Sequence, residues 1–538
     1  MCGAEALVSR PAAVKGLPRA VRASYREGMT ALWHLTGSPI PVSPAEPSPH
    51  GRRFDTVVVG AGLTGLVTAV LLTRAGQRVA VLEARTVGAV TTGHTTGKLS
   101  LLQGSVFSQV RRHVGDEALV AYAEANREGQ AWMVRELERL GLPIDRRSAV
   151  TYANDESSLD SLERELEACR VAGVDARWAD DTGLPFATEG AITLDRQVQL
   201  QPIDVLAALA AEVLERGGEI HERTRVQGVD ETDHALEVQT VGGVVAAERC
   251  VLATGVPILD RGLFFARLQP SRSFVTAYDV PEDRIPRGMH ISIDAPDRSL
   301  RTARGTEGET LVVVGGGAHT TGRGGDTVRT LAELDAWAQQ QLGAGPRVTW
   351  WAAQDYQRHA SLPYAGPLAG GHGRIFTATG YDKWGMTNAV AASLAIVSQM
   401  LGGRLDWADT MRHAGPGIAG VADAVRVNAE VAAHVATDWT KAVLSGSGAE
   451  DLAEGEGRVV REGARPIAVS RVDGSICRVS AVCTHLGGIL NWNPAERSWD
   501  CPLHASRFSA KGEVLEGPAV RDLASAAEHS EHAENSKG

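Results

Sequence analysis

Cysteine is scarce: 538 residues hold six, Cys2, Cys169, Cys250, Cys477, Cys483 and Cys501. That density excludes a disulfide-stapled secreted scaffold and fits a reducing compartment, so the cytoplasm is the expected location. Clustered Lys and Arg are missing too, and a net charge of −11 leaves no basic surface for nucleic acid. The first forty residues lack a continuous apolar core, which argues against a signal peptide and for a peripheral extension. Arg52-Arg53-Phe54 lies too deep in the chain for a twin-arginine export signal. One uncharged run, Thr56 to Thr73, is long enough to cross a membrane by length alone, but Gly60, Gly62 and Gly65 punctuate it. What remains is a chain 43% apolar, able to bury the cores of two or three domains.

The glycine-punctuated run has a better reading. Thr56-Val57-Val58-Val59-Gly60 has the texture of a buried strand, Leu63 to Ala75 that of a helix, and Arg78 to Glu83 that of a second strand. Strand, turn, helix and strand form a βαβ unit with a parallel pair. Its turn, Gly60-Ala61-Gly62-Leu63-Thr64-Gly65, fits G-x-G-x-x-G. Gly60 permits the tight turn, Gly62 lets backbone approach a pyrophosphate, and Gly65 lets helix and strand pack closely. The helix start supplies amide donors, and Glu83 can accept hydrogen bonds from a ribose. NAD and FAD are indistinguishable on this motif. Two further strands, ending in Thr254-Gly255 and Thr379-Gly380, are expected to deliver glycine turns to the same sheet edge.

Residues of about 54 to 405 resemble the D-amino-acid oxidase and glycine oxidase family of flavoproteins. The resemblance rests on the fingerprint, Thr224-Arg225-Val226, Ala253-Thr254-Gly255, Pro363-Tyr364-Ala365-Gly366-Pro367, and Gly380-Tyr381-Asp382-Lys383-Trp384-Gly385-Met386-Thr387. It implies FAD, with Val226, Gly255, Gly380, Trp384, Gly385, Met386 and Thr387 among its contacts. Thr91-Thr92-Gly93-His94-Thr95-Thr96-Gly97 is similar to the segment through which sarcosine and dimethylglycine dehydrogenases bond FAD to a histidine. By that resemblance His94, with Thr95 and Thr96 beside it, could bond to the flavin or hydrogen-bond near its ring, although Gly93 replaces the Trp common there. Lys98 and Lys383 adjoin these segments, where a cation could stabilise a reduced, anionic ring. Arg272, Arg323 and Arg358 are candidates for the bidentate clamp such oxidases use on a substrate carboxylate.

Near the C-terminus, Cys483-Thr484-His485 and Cys501-Pro502-Leu503-His504 give C-x-H and C-x-x-H, with fifteen residues between His485 and Cys501. Two Cys on one iron and two His on the other make a Rieske [2Fe-2S] centre; a structural zinc site competes for the same four ligands. The surrounding residues, including Asn491-Trp492-Asn493-Pro494 and Ser498-Trp499-Asp500, resemble Rieske domains from about 452 to 523, which favours iron. Many such domains add a Cys to each ligand loop, and the two form a disulfide. Here those positions are Gly488 and Leu503, so both partners are missing together.

The expected fold is therefore an α/β FAD-binding Rossmann-like domain with an interleaved α+β substrate lobe, plus a small all-β Rieske domain at the C-terminus. Its divisions are an extension over 1–53 and an oxidoreductase over 54–405. FAD-binding segments span about 54–134, 196–264 and 351–405, and the substrate lobe about 135–195 and 265–350. A helical linker over 406–451, the Rieske domain over 452–523 and a disordered tail over 524–538 complete it. Within the linker, Val425, Ala429, Ala432, Val435, Trp439 and Val443 recur at helical steps before Ser445-Gly446-Ser447-Gly448.

The first functional reading is a dehydrogenase or oxidase of a small amine, amino acid or similar substrate that sends electrons through the cluster to an external acceptor. The second is an electron relay with a partner protein and no small substrate of its own. A Rieske oxygenase would also need a mononuclear iron held by two His and a carboxylate; no D/E-x-x-H-x-x-x-H helix occurs, and His529 and His532 fall in the tail. Phe508 stands where high-potential Rieske domains place Tyr, while Ser506 keeps the usual hydroxyl. One fewer donor to the cluster lowers its potential, so redox titration is expected to give a value in the lower half of the range of roughly −150 to +300 mV.

Overall fold

The computed structural model describes residues 29–358, 361–414, 451–463 and 465–525. The helix expected after Asp423, the Ser445–Gly448 break and the tail beyond 525 lie outside these residues.

The first sheet is built on the βαβ unit. Its strands run in the order Tyr364–Pro367, Ile375–Thr379, Gly243–Leu252, Arg53–Val59, Val79–Leu82, Glu219–His221. These pair in parallel except Tyr364–Pro367, which is antiparallel at the edge; Leu236–Thr240 also pairs antiparallel with Gly243–Leu252, and Val226–Glu231 with Leu236–Thr240. Val79–Leu82 is buried throughout, as a parallel strand covered on both faces must be. The helix Leu63–Arg74 crosses between the two strands of the unit. The two other glycine turns leave the ends of Gly243–Leu252 and Ile375–Thr379, so all arrive at the carboxyl edge of one sheet. Among the described residues no helix is long and apolar enough to cross a membrane.

A second sheet runs Arg347–Arg358, Leu268–Tyr278, Thr310–His319, Arg298–Arg304, Met289–Ser292, Asp145–Ala153, Gly190–Gln199, Lys98–Leu99. It joins the two blocks read as a lobe, through the parallel pairing of Met289–Ser292 with Asp145–Ala153. Two of its strands come from segments read as FAD-binding. Lys98–Leu99 pairs with Gly190–Gln199, and Arg347–Arg358 pairs along Leu268–Tyr278. Pairing between distant segments is invisible to local patterning.

The N-terminal stretch is not peripheral where it is described. Ala31, Leu32 and Trp33 are buried in the core, and the indole Nε1 of Trp33 donates to the carbonyl of Thr95 at 2.6 Å. Trp33 also sits beneath the guanidinium of Arg301 and edge-on to Trp351.

The C-terminal block holds a three-stranded sheet, Gly457–Glu462, Arg465–Val472 and Ser475–Ser480, and a four-stranded one, Asn491–Asn493, Ser498–Asp500, Arg507–Ser509 and Val514–Glu516. Asp473 and Gly474 both have positive φ, 52° and 73°, which is the type I′ turn that the Asp-Gly pair favours.

This block is fastened to the second sheet by buried charge. Arg272 clasps Glu496 through Nε and Nη2 and donates from Nη1 to Glu516 at 3.0 Å. Arg507 in turn donates to Asp500 and to Glu516, each at 2.9 Å. Burial alone would raise the Glu496 carboxyl; the two guanidiniums outweigh it and hold the group at about 2. Around this cluster Arg323 donates to the carbonyl of Pro502 at 2.8 Å, Arg225 to that of Val514 at 2.8 Å, and Thr327 to Asn493 at 2.8 Å. Removing one member of a buried pair strands the other charge without water, at about 3–5 kcal/mol. Arg272→Met is therefore expected to lower the denaturant midpoint by a corresponding amount, with Glu496→Gln in the same direction. Unchanged midpoints would show that the pair carries no stability.

Candidate functional site

A cavity of about 300 Å³ opens at the carboxyl edge of the parallel sheet. This is where open α/β sheets bind their ligands. Gly60, Gly62, Glu83, His94, Thr95, Thr96, Lys98, Val226, Gly255, Lys383, Trp384, Gly385 and Met386 all line it. Gly60 has φ +103°, and a Cβ there would sit 2.6 Å from the carbonyl oxygen of Ala253. Gly65 lies behind the wall: a Cβ would meet the Gly60 oxygen at 1.9 Å, so glycine alone allows helix and strand to approach. Gly380, φ +80°, forms a turn against Arg358 and is also off the wall. Thr387 is off it as well, because it lies one turn inside the helix Gly385–Met400, buried and bonded to Asn126 and the carbonyl of Trp384.

Two helices start at this cavity, at Gly62 and at Trp384; neither N-cap residue caps its own helix, and Thr92 Oγ1 accepts from the amide of Leu63 at 3.0 Å. Their dipoles suit an anionic or electron-rich ligand. Glu83 Oε2 accepts from the amide of Ala61 at 2.9 Å and Oε1 from that of Arg85 at 2.8 Å. Burial raises its pKa, partly offset by those amides. The described arginines on the wall, Arg85 and Arg225, both stand within Coulombic reach of Glu83. Glycine cradle, helix starts and acidic strand end together fit the adenosine and pyrophosphate of FAD.

The opposite part of the cavity is lined by Lys98, Asp297, Ser299, Gly315, Asp355 and Lys383. Lys98 Nζ donates to the carbonyl of His290 at 2.7 Å and to Ser299 Oγ at 2.6 Å. Burial, with Arg301 nearby, pushes its pKa down to about 7. Lys383 pairs with Asp297 at 3.4 Å, and its amide donates to Asp355 at 2.7 Å. Burial lifts the Asp355 carboxyl to about 7 and that of Asp382 to about 6. Sequence reasoning missed Asp355, since no motif marks a lone acid inside a long strand.

His94 Nδ1 bonds the carbonyl of Val90 at 2.7 Å, and its ring lies 5.5 Å from that of His34. A carbonyl only accepts, so the proton is on Nδ1 and Nε2 keeps its lone pair. Burial, then His34, lowers the His94 pKa to about 4, so the ring is neutral near pH 7.

None of the three candidate clamp arginines lines the cavity. Arg272 is spent on Glu496 and Glu516, Arg323 on Pro502, and Arg358 on the carbonyls of Leu362 and Pro363 at 3.0 and 3.4 Å. Instead the C-terminal block closes the cavity, with Leu515, Glu516, Gly517, Ala519 and Val520 on its wall.

In that block the two ligand loops meet. The thiols of Cys483 and Cys501 hydrogen-bond each other; backbone amides of His485 and Leu486 serve the first sulfur, those of Leu503 and His504 the second. The His485 and His504 rings lie 5.2 Å apart. A Cβ on Gly488 would meet Leu503 at 2.7 Å, so glycine and leucine pack together where related domains place a disulfide. Ser506 hydrogen-bonds Cys483 and accepts from the amide of Ala519 at 3.0 Å, whereas Phe508 is fully buried. Paired sulfurs and paired imidazoles fit a [2Fe-2S] cluster, which takes its ligands two per iron.

A family profile described as FAD dependent oxidoreductase matches residues 55–399, and one described as Rieske [2Fe-2S] domain matches 445–527. YhfW of Bacillus subtilis (strain 168), described as a Rieske 2Fe-2S iron-sulfur protein, is 30% identical over 508 residues, covering 93% of this chain and 97% of that one. The cytochrome b6-f complex iron-sulfur subunit 1 of Nostoc sp. (strain PCC 7120) is 50% identical over 46 residues, 9% of this chain and 26% of that protein. In fold, the chain is similar to glycine oxidase from Geobacillus kaustophilus (TM-score 0.55, 20% identity, 66% and 96% covered). It is also similar to L-proline dehydrogenase from P. horikoshii (TM-score 0.56, 18% identity, 67% and 98% covered).

Proposed function

Because the chain belongs to the FAD-dependent oxidoreductase family and carries a Rieske [2Fe-2S] domain, we propose that it oxidises a small amine, amino acid or similar substrate and delivers the electrons through the cluster to an external acceptor. Bound FAD supplies acceptance of a hydride, and the cluster supplies one-electron transfer. The observation that carries the reading is the shared cavity, whose walls come from both the glycine fingerprint and the segment Leu515–Val520.

At the reacting end, Lys98 holds the position of a general base. Its two hydrogens are taken by His290 and Ser299, so the neutral amine offers a lone pair to a substrate ammonium. Lys383, fixed by Asp297 and Asp355, lies on the same wall and is the lysine a substrate carboxylate would meet in place of an arginine. Burial of Lys98 strengthens its interactions with His290 and Ser299.

Anaerobic titration with a panel of amines and amino acids is the test. One class is expected to bleach the flavin and then develop the EPR signal of the reduced cluster. For that substrate kcat/KM should rise with pH through about 7, as Lys98 loses its proton, and Lys98→Met should abolish this limb. Reduction only by a partner protein, with every small substrate inert, would favour the relay reading. Nε2 of His94 is chemically able to bond to the flavin, and the resemblance of its segment supports such a bond. Acid precipitation is expected to leave a yellow pellet, turning colourless in His94→Ala; a colourless wild-type pellet rules the bond out.

A further inference from the structure

At the histidine end of the Rieske block one ligand ring is held by the flavin domain. His485 has 8% of its side chain exposed, and its Nε2 lies 2.9 Å from Oδ1 of Asp260, a residue of the flavin domain 225 positions away. A carboxylate only accepts, so Nε2–H donates to Asp260, and Nδ1 is the nitrogen that would hold iron. Asp260 ends the loop that leaves the strand Gly243–Leu252, and Ala253, Thr254, Gly255 and Ile258 of that loop line the flavin cavity. One short loop thus begins at the cavity and ends on a cluster ligand. A second link runs beside it: the side-chain amide of Gln354 donates to the hydroxyl of Tyr356, on the cavity wall, at 2.7 Å, and to the carbonyl of Ala505, next to His504, at 3.1 Å.

We propose that Asp260 is the positioning residue through which the flavin domain holds the histidine-ligated iron toward its own cavity, and that its negative charge lowers the potential of the cluster. The physical reason is simple. Reduction adds an electron at the end of the cluster that carries the imidazoles, and a carboxylate hydrogen-bonded to one of them favours the oxidised state. Asp260 is 56% exposed, so solvent screens part of that charge and the shift is modest. An acceptor outside the chain must then approach by another face, because this edge is occupied by the flavin domain.

The inference rests on the proposed passage of electrons between the two domains, but its test needs no substrate. Full-length protein loaded with FAD and iron, as wild type, Asp260→Asn, Asp260→Ala and Asp260→Glu, is titrated redox-potentiometrically with EPR detection of the cluster. The Asn and Ala forms are expected to shift to higher potential, and the Glu form to stay near wild type. Potentials of the Asn and Ala forms equal to wild type, with the cluster fully loaded, overturn the proposal. Should Asp260→Ala lose iron, the isosteric Asn form carries the comparison. Photoreduction of the flavin without substrate separates the premise: a wild-type cluster that stays oxidised beside fully reduced flavin sinks the electron passage, while the titration still judges Asp260.

Discussion

The arrangement of the whole molecule depends on the buried clasp between Arg272 and Glu496. Each side chain is almost wholly removed from water, so each needs opposite charge beside it. Because Arg272 stands on a strand of the second sheet and Glu496 in the C-terminal block, their pairing sets where that block lies. Arg507, Asp500 and Glu516 extend the cluster into the block itself. Glu516 then continues into Leu515–Val520, the segment that closes the flavin cavity. Fixing the charges therefore fixes the wall.

Closing the cavity changes the chemistry of what lines it. Lys98 is driven toward its neutral amine, Asp355 toward its protonated acid and His94 toward neutral imidazole, in each case chiefly by burial. These shifts share one cause: a site shielded from water disfavours whichever form is charged. The Lys383–Asp297 pair is more exposed, with 39% of each side chain meeting solvent. A site with neutral proton carriers and one compensated ion pair is suited to moving protons during removal of a hydride.

The cluster loops show how a departure from a pattern can be accommodated. Loss of a disulfide would leave two ligand loops without a covalent brace. Here Gly488 and Leu503 pack directly, and Ser506 ties Cys483 to the Ala519 amide, next to the cavity-lining segment. Outside the block, Arg323 and Gln354 hold the carbonyls of Pro502 and Ala505, and Asp260 holds His485. The loops are braced by the flavin domain instead of by sulfur.

What the sequence alone determined is local. The G-x-G-x-x-G turn, the C-x-H and C-x-x-H ligand loops and the Asp473-Gly474 hairpin were legible because a turn conformation or a ligand spacing is set by residues a few positions apart. The choice of FAD over NAD and of iron over zinc came from the resemblance of the longer stretches around them. Only the tertiary structure decided that Lys98 is a buried strand residue, that Asp355 lies beside Lys383, that Trp33 belongs to the core and that Arg272 faces Glu496 instead of a substrate. Those contacts join distant positions, 224 residues apart for Arg272 and Glu496. No periodicity or motif encodes such a meeting, because it results from the packing of sheets against one another and from the need of each buried charge to find its opposite.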